Sequence, residues 1–311
     1  MMKKQCPSCK RTHTKKNGHT HNGKQNHYCH ACGRQFVEKP EQILISLLVH
    51  AGEPFSAQKT AELIKELDRQ GYVYIPNVLT LEEVENLKEP FDQFADPNNF
   101  DTDNLYSDWI GVRLFERDRM FRDMLVREPI ISLVEAICGK DCHLIADGAV
   151  RNQPGKAISN FHVDDTVFFP LPDNIRRHDS GLPLPVFQLT VQMPLTDIPS
   201  PEYGPTQFVP GSHYSGRLPN HHENPRFEGE GPVSILCKAG DIYIQNGQCW
   251  HRGAPNTSDR TRYLYQIAYG PRWVSQRLYP FLNYRMPDHV LEGASERLLR
   301  VLGKHPKGAY G

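Results

Sequence analysis

Apolar and polar residues alternate with a period of two in several stretches of the chain's C-terminal two thirds, and recur with helical spacing around them. Alternation marks a half-buried strand. It runs through Asn160-Phe161-His162-Val163-Asp164, Gln188-Leu189-Thr190-Val191-Gln192, the segment Ile242-Tyr243-Ile244-Gln245-Asn246 after the Gly240-Asp241 turn, and Arg262 to Tyr269. Helical spacing predicts helices over Ala57–Arg69, Leu81–Phe94 and Ile130–Cys138, with a short closing helix over Ala294–Leu302. Thr80 and Glu83 make a capping box at the start of the second helix. No internal repeat or low-complexity tract interrupts this pattern, and a body of residues 56–311 is ample for one domain with helical additions.

The strands carry unusual side chains. In an extended segment His162 and Asp164 point to one face, about 7 Å apart along the backbone, within reach of one metal ion. His251 follows 89 residues later, at a strand end or in the loop before the turn-rich Pro255-Asn256-Thr257-Ser258-Asp259. Two imidazoles and one carboxylate occupy one face of a metal and leave the others open, the ligand set of non-haem Fe(II) oxygenases. Arg262 opens the next strand and would lie beside such a metal if the two strands form an antiparallel hairpin, where its guanidinium suits a carboxylate.

The order of these elements is more telling than any one of them. His162-x-Asp164, then Gly204-Pro205-Thr206-Gln207-Phe208-Val209-Pro210-Gly211-Ser212-His213, then a Gly-Asp turn, a strand, His251 and Arg262 resemble the phytanoyl-CoA dioxygenase family of Fe(II)/2-oxoglutarate oxygenases. The resemblance spans residues 56–305 and begins with Gly71-Tyr72-Val73-Tyr74-Ile75-Pro76. It implies a mainly β fold, a double-stranded β-helix (jelly roll, cupin-like) flanked by helices. It also implies Fe(II) on His162, Asp164 and His251, the distal carboxylate of 2-oxoglutarate on Arg262, and O2 as cosubstrate. Succinate and CO2 would be released as an unactivated C–H bond is hydroxylated, with desaturation, ring closure and endoperoxide formation as other outcomes on the scaffold. Related halogenases lack the carboxylate ligand, so Asp164 argues against halogenation.

The chain departs from that pattern at Gly253, where several relatives place a serine that assists the cosubstrate. Gln188, Thr190 and Gln192, which would share one strand face, and Asn152 are candidates for the missing cosubstrate contact, and ordinary hydrogen bonding inside a barrel is the competing account. Asp165 reads as solvated or adjacent to the ligands, and His213, His221 and His222 as surface residues. The substrate reads as a small molecule, since Phe161, Phe168, Phe169, Tyr106 and Trp109 could line an apolar pocket, with core packing accounting for many of them. Pro170–Pro185 has the length of a loop that covers a site. No coenzyme A handle is visible.

The other end of the chain is different in kind. Cys6-Pro7-Ser8-Cys9 and Cys29-His30-Ala31-Cys32 have the spacing of a tetrahedral zinc site in a ribbon. So short a segment, about forty residues, builds no adequate apolar core without a metal. Residues 1–39 hold nine Lys and Arg against Glu38 alone, out of 36 of each charge in the chain, leaving 27 bases and 35 acids. Neutrality therefore conceals a basic head suited to weak contact with nucleic-acid phosphates. The run from Lys16 to Tyr28, followed by Cys-Gly-Arg-Gln-Phe-Val, resembles the N-terminal zinc ribbon of insertion-sequence transposases, with a hairpin from Asn17 to Tyr28. Two accounts stay open: a mobile-element remnant incidental to catalysis, or a tether that delivers the oxygenase to nucleic acid. Residues 40–55 read as a linker whose apolar run, Ile43 to Val49, is too short for a membrane span. No signal-peptide pattern opens the chain, so a reducing cytoplasm is expected, with Cys138, Cys142, Cys237 and Cys249 unbridged.

Overall fold

The computed structural model describes residues 6, 9, 11–19, 25–37, 52–94, 105–107, 110–278 and 280–306. The chain divides into two compact units, residues 1–47 and 48–311. Most of the expected linker, including its apolar run, lies outside the described residues.

The first unit is an antiparallel sheet of β1 (Thr14–His19), β2 (Gln25–Cys29) and β3 (Gln35–Val37), in that order. Both cysteine turns close in the same way, with Cys6 N–H donating to Arg11 O at 2.8 Å and Cys29 N–H to Arg34 O at 2.9 Å. They bring the four thiol sulfurs within 4.8 Å of one another. Cys6 and Cys29 are fully buried, so the thiol cluster occupies the place an apolar core would have.

In the second unit, the helices are α1 (Ala57–Gln70), α2 (Leu81–Phe94), α3 (Leu114–Arg117), α4 (Arg119–Met124), α5 (Ile130–Cys138), α6 (Asp288–Leu291) and α7 (Glu296–Val301). The capping box forms as its residues predict: Glu83 N–H reaches Thr80 Oγ1 at 3.1 Å and Thr80 N–H reaches Glu83 Oε2 at 2.7 Å. Helix α1 stops at Gly71, whose φ of 81° is left-handed and where a Cβ would sit 2.6 Å from His213 Nδ1. The closing helix is shorter than predicted because Ser295 caps it, its hydroxyl accepting from Leu298 N–H at 3.2 Å.

The strands are β4 (Tyr72–Ile75), β5 (Leu105–Ser107), β6 (Ile110–Val112), β7 (His143–Asn152), β8 (Leu189–Pro194), β9 (Thr206–Phe208), β10 (Val233–Ser234), β11 (Ile242–Asn246), β12 (His251–Gly253) and β13 (Arg262–Gly270). They form a seven-stranded antiparallel sheet in the order β4-β11-β8-β13-β7-β6-β5 and a three-stranded one in the order β10-β9-β12, the two sheets of a jelly roll. Strand alternation sorts the large sheet into two faces. Tyr265, Ile267 and Tyr269 join Leu189, Val191 and Met193 in the core packed with the helices. Each such fully buried aliphatic side chain contributes roughly 1.5–3 kcal/mol. The intervening residues Arg262, Leu264, Gln266, Ala268, Thr190 and Gln192 line an interior cavity instead.

Two local expectations are corrected. Asn160–Asp164 is not a regular strand; it touches the small sheet through a single bridge, His162 with His251. Nor do β11 and β13 form a hairpin, because β8 lies between them. A buried strand with Gln188, Thr190 and Gln192 on its cavity side fills the position that a hairpin would close.

One acid sits on the helix side of the sheet. Asp147 of β7 is 3% exposed and accepts from Phe115 N–H at 3.1 Å, where α3 begins, and from Tyr265 Oη at 3.2 Å. Burial outweighs these contacts and pushes its carboxyl up to about 7. The native state therefore holds this proton more tightly than the unfolded chain does. Its stabilisation is complete below the ordinary carboxyl range, about 4, and is lost as pH rises through about 7. Asp147→Asn is expected to remove that loss, so that its melting temperature exceeds that of the wild type by at least about 3 °C at pH 8 but not at pH 5. Thermal denaturation at the two pH values checks this, and an equal difference at both would contradict it.

Candidate active site

The first ligand pair and the third candidate ligand are held together by main chain. His162 N–H donates to His251 O at 2.9 Å and His251 N–H returns the bond to His162 O at 3.0 Å. Asp164 N–H adds a bond to Gly247 O at 2.7 Å. Gly247 packs closely on the ligand, since a Cβ there would meet Asp164 Cβ at 3.1 Å. On the far side β12 is anchored by β9, with His251 opposite Phe208. The two imidazoles consequently face each other with ring centroids 4.3 Å apart.

Each ring is oriented by the same device. His162 Nδ1 lies 2.8 Å from Asn160 O and His251 Nδ1 lies 2.8 Å from Cys249 O. A carbonyl only accepts, so each Nδ1 carries the proton and each Nε2 keeps its lone pair. Those lone pairs converge on Asp164, whose Oδ1 is 3.9 Å from His162 Nε2 and 3.4 Å from His251 Nε2. The other carboxylate oxygen is already engaged: Gln188 Nε2 donates to Oδ2 at 2.8 Å and Thr190 Oγ1 at 3.3 Å. One oxygen is left facing the histidines.

The electrostatics agree with a cation-binding site. Burial, reinforced by the neighbouring His251, lowers His162 to about 4, leaving it neutral. Burial alone would raise Asp164, but His251 and His162 outweigh it and hold the carboxyl down at about 2. Burial likewise opposes protonation of His251, yet Asp164 turns its net shift upward. An anionic carboxylate and two Nε2 lone pairs, all within 4.8 Å, fit a divalent ion bound on one face.

A cavity of 670 Å³ opens beside these three residues and extends to Arg262. Arg262 is 3% exposed and donates to Gly204 O and, at 3.5 Å, to Thr206 Oγ1. Its Nε has no partner, and neither do the two side-chain polar atoms of Asn152, which pairs with Arg262 across β7 and β13. Buried orphan groups of this kind call for a polar ligand, and a buried guanidinium matches a carboxylate. Gln192 donates to Gln245 Oε1 at 2.7 Å, and Gln245 Nε2 lies 3.0 Å from His251 Nε2.

Other candidates fall elsewhere. Of the aromatic residues, Phe161 lines the cavity, whereas Phe168 and Phe169 pack on Phe187, which in turn meets Trp273. Tyr106 lies in β5, and Trp109 is outside the described residues. No residue of 170–185 lines the cavity. Arg217 pins that loop by donating to Pro172 O at 2.9 Å, Ile175 O at 2.7 Å and Arg176 O at 3.0 Å. His221 and His222 are exposed, but His213 is buried against Asp68 O at 2.9 Å. Gln245 and Arg277 belong to the site with no role assigned to them by sequence, and Gln188, a candidate for the cosubstrate contact, bonds Asp164 instead. Their signal is faint: glutamines on otherwise apolar alternating strands, and an arginine in a loop.

The glycine at 253 has a steric cause. A Cβ there would lie 2.7 Å from Ile158 Cβ and 2.9 Å from its Cγ1. Gly253→Ser is therefore expected to destabilise the fold by roughly 1–3 kcal/mol, and Ile158→Gly, which removes the colliding Cβ itself, to relieve most of that strain in the double variant. Chemical denaturation of the four proteins tests the coupling; additive effects would contradict it.

Comparison with known proteins agrees with this geometry. A dioxygenase of Aspergillus fumigatus, af480, is 24% identical over 256 residues, covering 76% of this chain and 74% of the relative. Among solved structures, HygX of Streptomyces hygroscopicus with nickel and 2-oxoglutarate bound superposes with a TM-score of 0.53 at 19% identity, over 69% of this chain and 88% of that one. The non-haem, α-ketoglutarate-dependent epimerase SnoN from nogalamycin biosynthesis superposes at 0.54 and 19% identity, over 70% and 85%. These likenesses establish the shared fold. Residues 67–264 match the phytanoyl-CoA dioxygenase family itself, and the chain belongs to that family of iron- and 2-oxoglutarate-dependent oxygenases.

Proposed function

We propose that residues 56–311 oxidise an unactivated C–H bond of a small molecule, with Fe(II) held by His162, Asp164 and His251 and 2-oxoglutarate anchored by Arg262. The observation that carries this reading is the convergence of three ligand atoms within 4.8 Å at the wall of a cavity that also contains a buried guanidinium. When bound, the iron and its cosubstrate supply the oxidising chemistry, with succinate and CO2 as coproducts.

The chain's own residues supply position. Asn160 O and Cys249 O fix the ring tautomers, and Gln188 and Thr190 restrict Asp164 to one free oxygen. Thr190 thus serves the metal ligand rather than the cosubstrate. Arg262, at the cavity wall with its Nε unsatisfied, is the group that a distal carboxylate would engage, whereas Asn152, equally unsatisfied, does not line the cavity; Gln192 acts through Gln245. Apolar and small residues, among them Val112, Val150, Gly148, Ala146 and Ala268, form the remaining wall. That surface suits a compact, largely apolar substrate and keeps bulk water from the reacting face.

The basic ribbon supports a second, independent reading: its four thiols bind structural zinc and its charged hairpin contacts nucleic acid weakly, without a part in turnover. A cytoplasmic setting keeps those thiols reduced. Among the described residues no helix is long and apolar enough to cross a membrane.

Anaerobic titration of the Fe(II) protein with 2-oxoglutarate is expected to produce a weak visible charge-transfer band. Arg262→Ala should weaken cosubstrate affinity roughly 10- to 100-fold, the worth of a charge-assisted hydrogen bond, and His162→Ala should abolish the band. An iron-loaded wild type without a band would defeat the assignment. Deleting residues 1–40 should leave small-molecule turnover unchanged, and a loss of turnover that tracks salt-dependent nucleic-acid binding would favour the tether instead.

A further inference from the structure

The segment after β13 returns along β7. Gln276 Nε2 donates to Leu144 O at 2.8 Å and Arg277 N–H to Ile145 O at 2.8 Å, beyond the stretch where β6 covers β7 at residues 148–150. Arg277 is thereby delivered to the cavity wall on the metal side. Its guanidinium donates to Gln188 Oε1 and lies 3.6 Å from Asp165 Oδ2. Gln188 in turn donates to Asp164 Oδ2 at 2.8 Å. Asp165–Arg277–Gln188–Asp164 is a continuous relay from the rim to a metal ligand.

The relay has a fixed polarity. A guanidinium has donors only, so whatever amide atom it meets must be the oxygen. With Oε1 turned to Arg277, the NH2 of Gln188 necessarily faces Asp164. A reversed amide would oppose its oxygen to Oδ2 and repel it. Thr190 donates a weaker bond to the same oxygen at 3.3 Å and accepts a long one from Gln188 Nε2 at 3.4 Å, but a hydroxyl both donates and accepts and so does not dictate how the amide is turned. At the outer end, Asp165 holds a left-handed φ of 65°, which turns the chain directly after the ligand and sets its carboxylate near Arg277.

We propose that Arg277 is a positioning residue for the metal: by locking the Gln188 amide it keeps Asp164 Oδ2 occupied and presents Oδ1 alone to the ion. This rests on the triad being the iron site, and the test separates the two ideas.

Co(II), whose visible ligand-field bands report coordination number and geometry, is titrated into full-length protein that carries zinc at the ribbon cysteines and no metal at the triad. The wild type should bind with a band that His162→Ala lacks; if it does not, the iron-site reading fails, whatever Arg277 does. Given wild-type binding, Arg277→Met is expected to weaken Co(II) affinity roughly 10- to 100-fold, as loss of such outer contacts does, and to alter the band. Arg277→Lys, which still donates to Oε1, should restore most of both. Gln188→Met cuts the same relay, so combining it with Arg277→Met should cost little beyond either change alone. Additive losses, or an Arg277→Met protein with wild-type affinity and spectrum, would overturn the proposal. If methionine prevents folding, Arg277→Ser keeps this half-exposed position polar but is too short to reach the amide, and the same loss is expected.

Discussion

The reciprocal pair of backbone hydrogen bonds between His162 and His251 is the constraint on which the site depends. Side chains of directly paired residues emerge on the same face, so this register alone brings the two rings together. A slip of one residue would send both outward. Everything adjacent protects that register: Asp164 N–H bonded to Gly247, a glycine packed closely on Asp164, and β12 clamped by β9. Main-chain bonds are suited to this task because they resist both side-chain rotation and changes in protonation.

From that pair the barrel interior becomes graded. Near the histidines the orienting groups, each Nδ1 and Asp164 Oδ2, have assigned hydrogen-bond partners. Near Arg262 such partners are missing, since Arg262 Nε and the Asn152 amide are buried and unsatisfied. Leaving a buried polar group unpaired costs about 1–3 kcal/mol, a cost that a ligand carboxylate would offset at Arg262. Preorganised ligands at one end and unsatisfied donors at the other are opposite uses of the same hydrogen-bonding chemistry.

Sequence disclosed the parts of this design that repeat locally. The helices over 57–70, 81–94 and 130–138 were legible from spacing and caps, and Arg262 to Gly270 from alternation. The site residues were legible through ligand type and order. Topology was not: β8 intrudes between β11 and β13, and nothing in either strand's own pattern records its neighbour. His213 looked like a loop residue because its burial depends on Asp68 O, a partner 145 positions away. Arg277 escaped for the same reason, and Gln188 was noticed only as a polar strand residue, because its bond to Asp164 depends on a loop residue 89 positions away. The collision with Ile158 that makes residue 253 a glycine joins positions 95 apart.

The two cysteine turns and the triad show how ligand count divides structure from chemistry. Four thiols in one cluster can satisfy a tetrahedral ion completely, so bound metal there has no open position and acts as a core. Two histidines and one carboxylate oxygen cannot complete an ion's shell, and the unfilled positions face a cavity. If Asp164 offered both oxygens, one of those positions would be consumed. Holding Oδ2 away from the ion is therefore as much a part of the site as presenting Oδ1. That places Gln188, a residue that need touch neither substrate nor cosubstrate, among those on which an open coordination face depends.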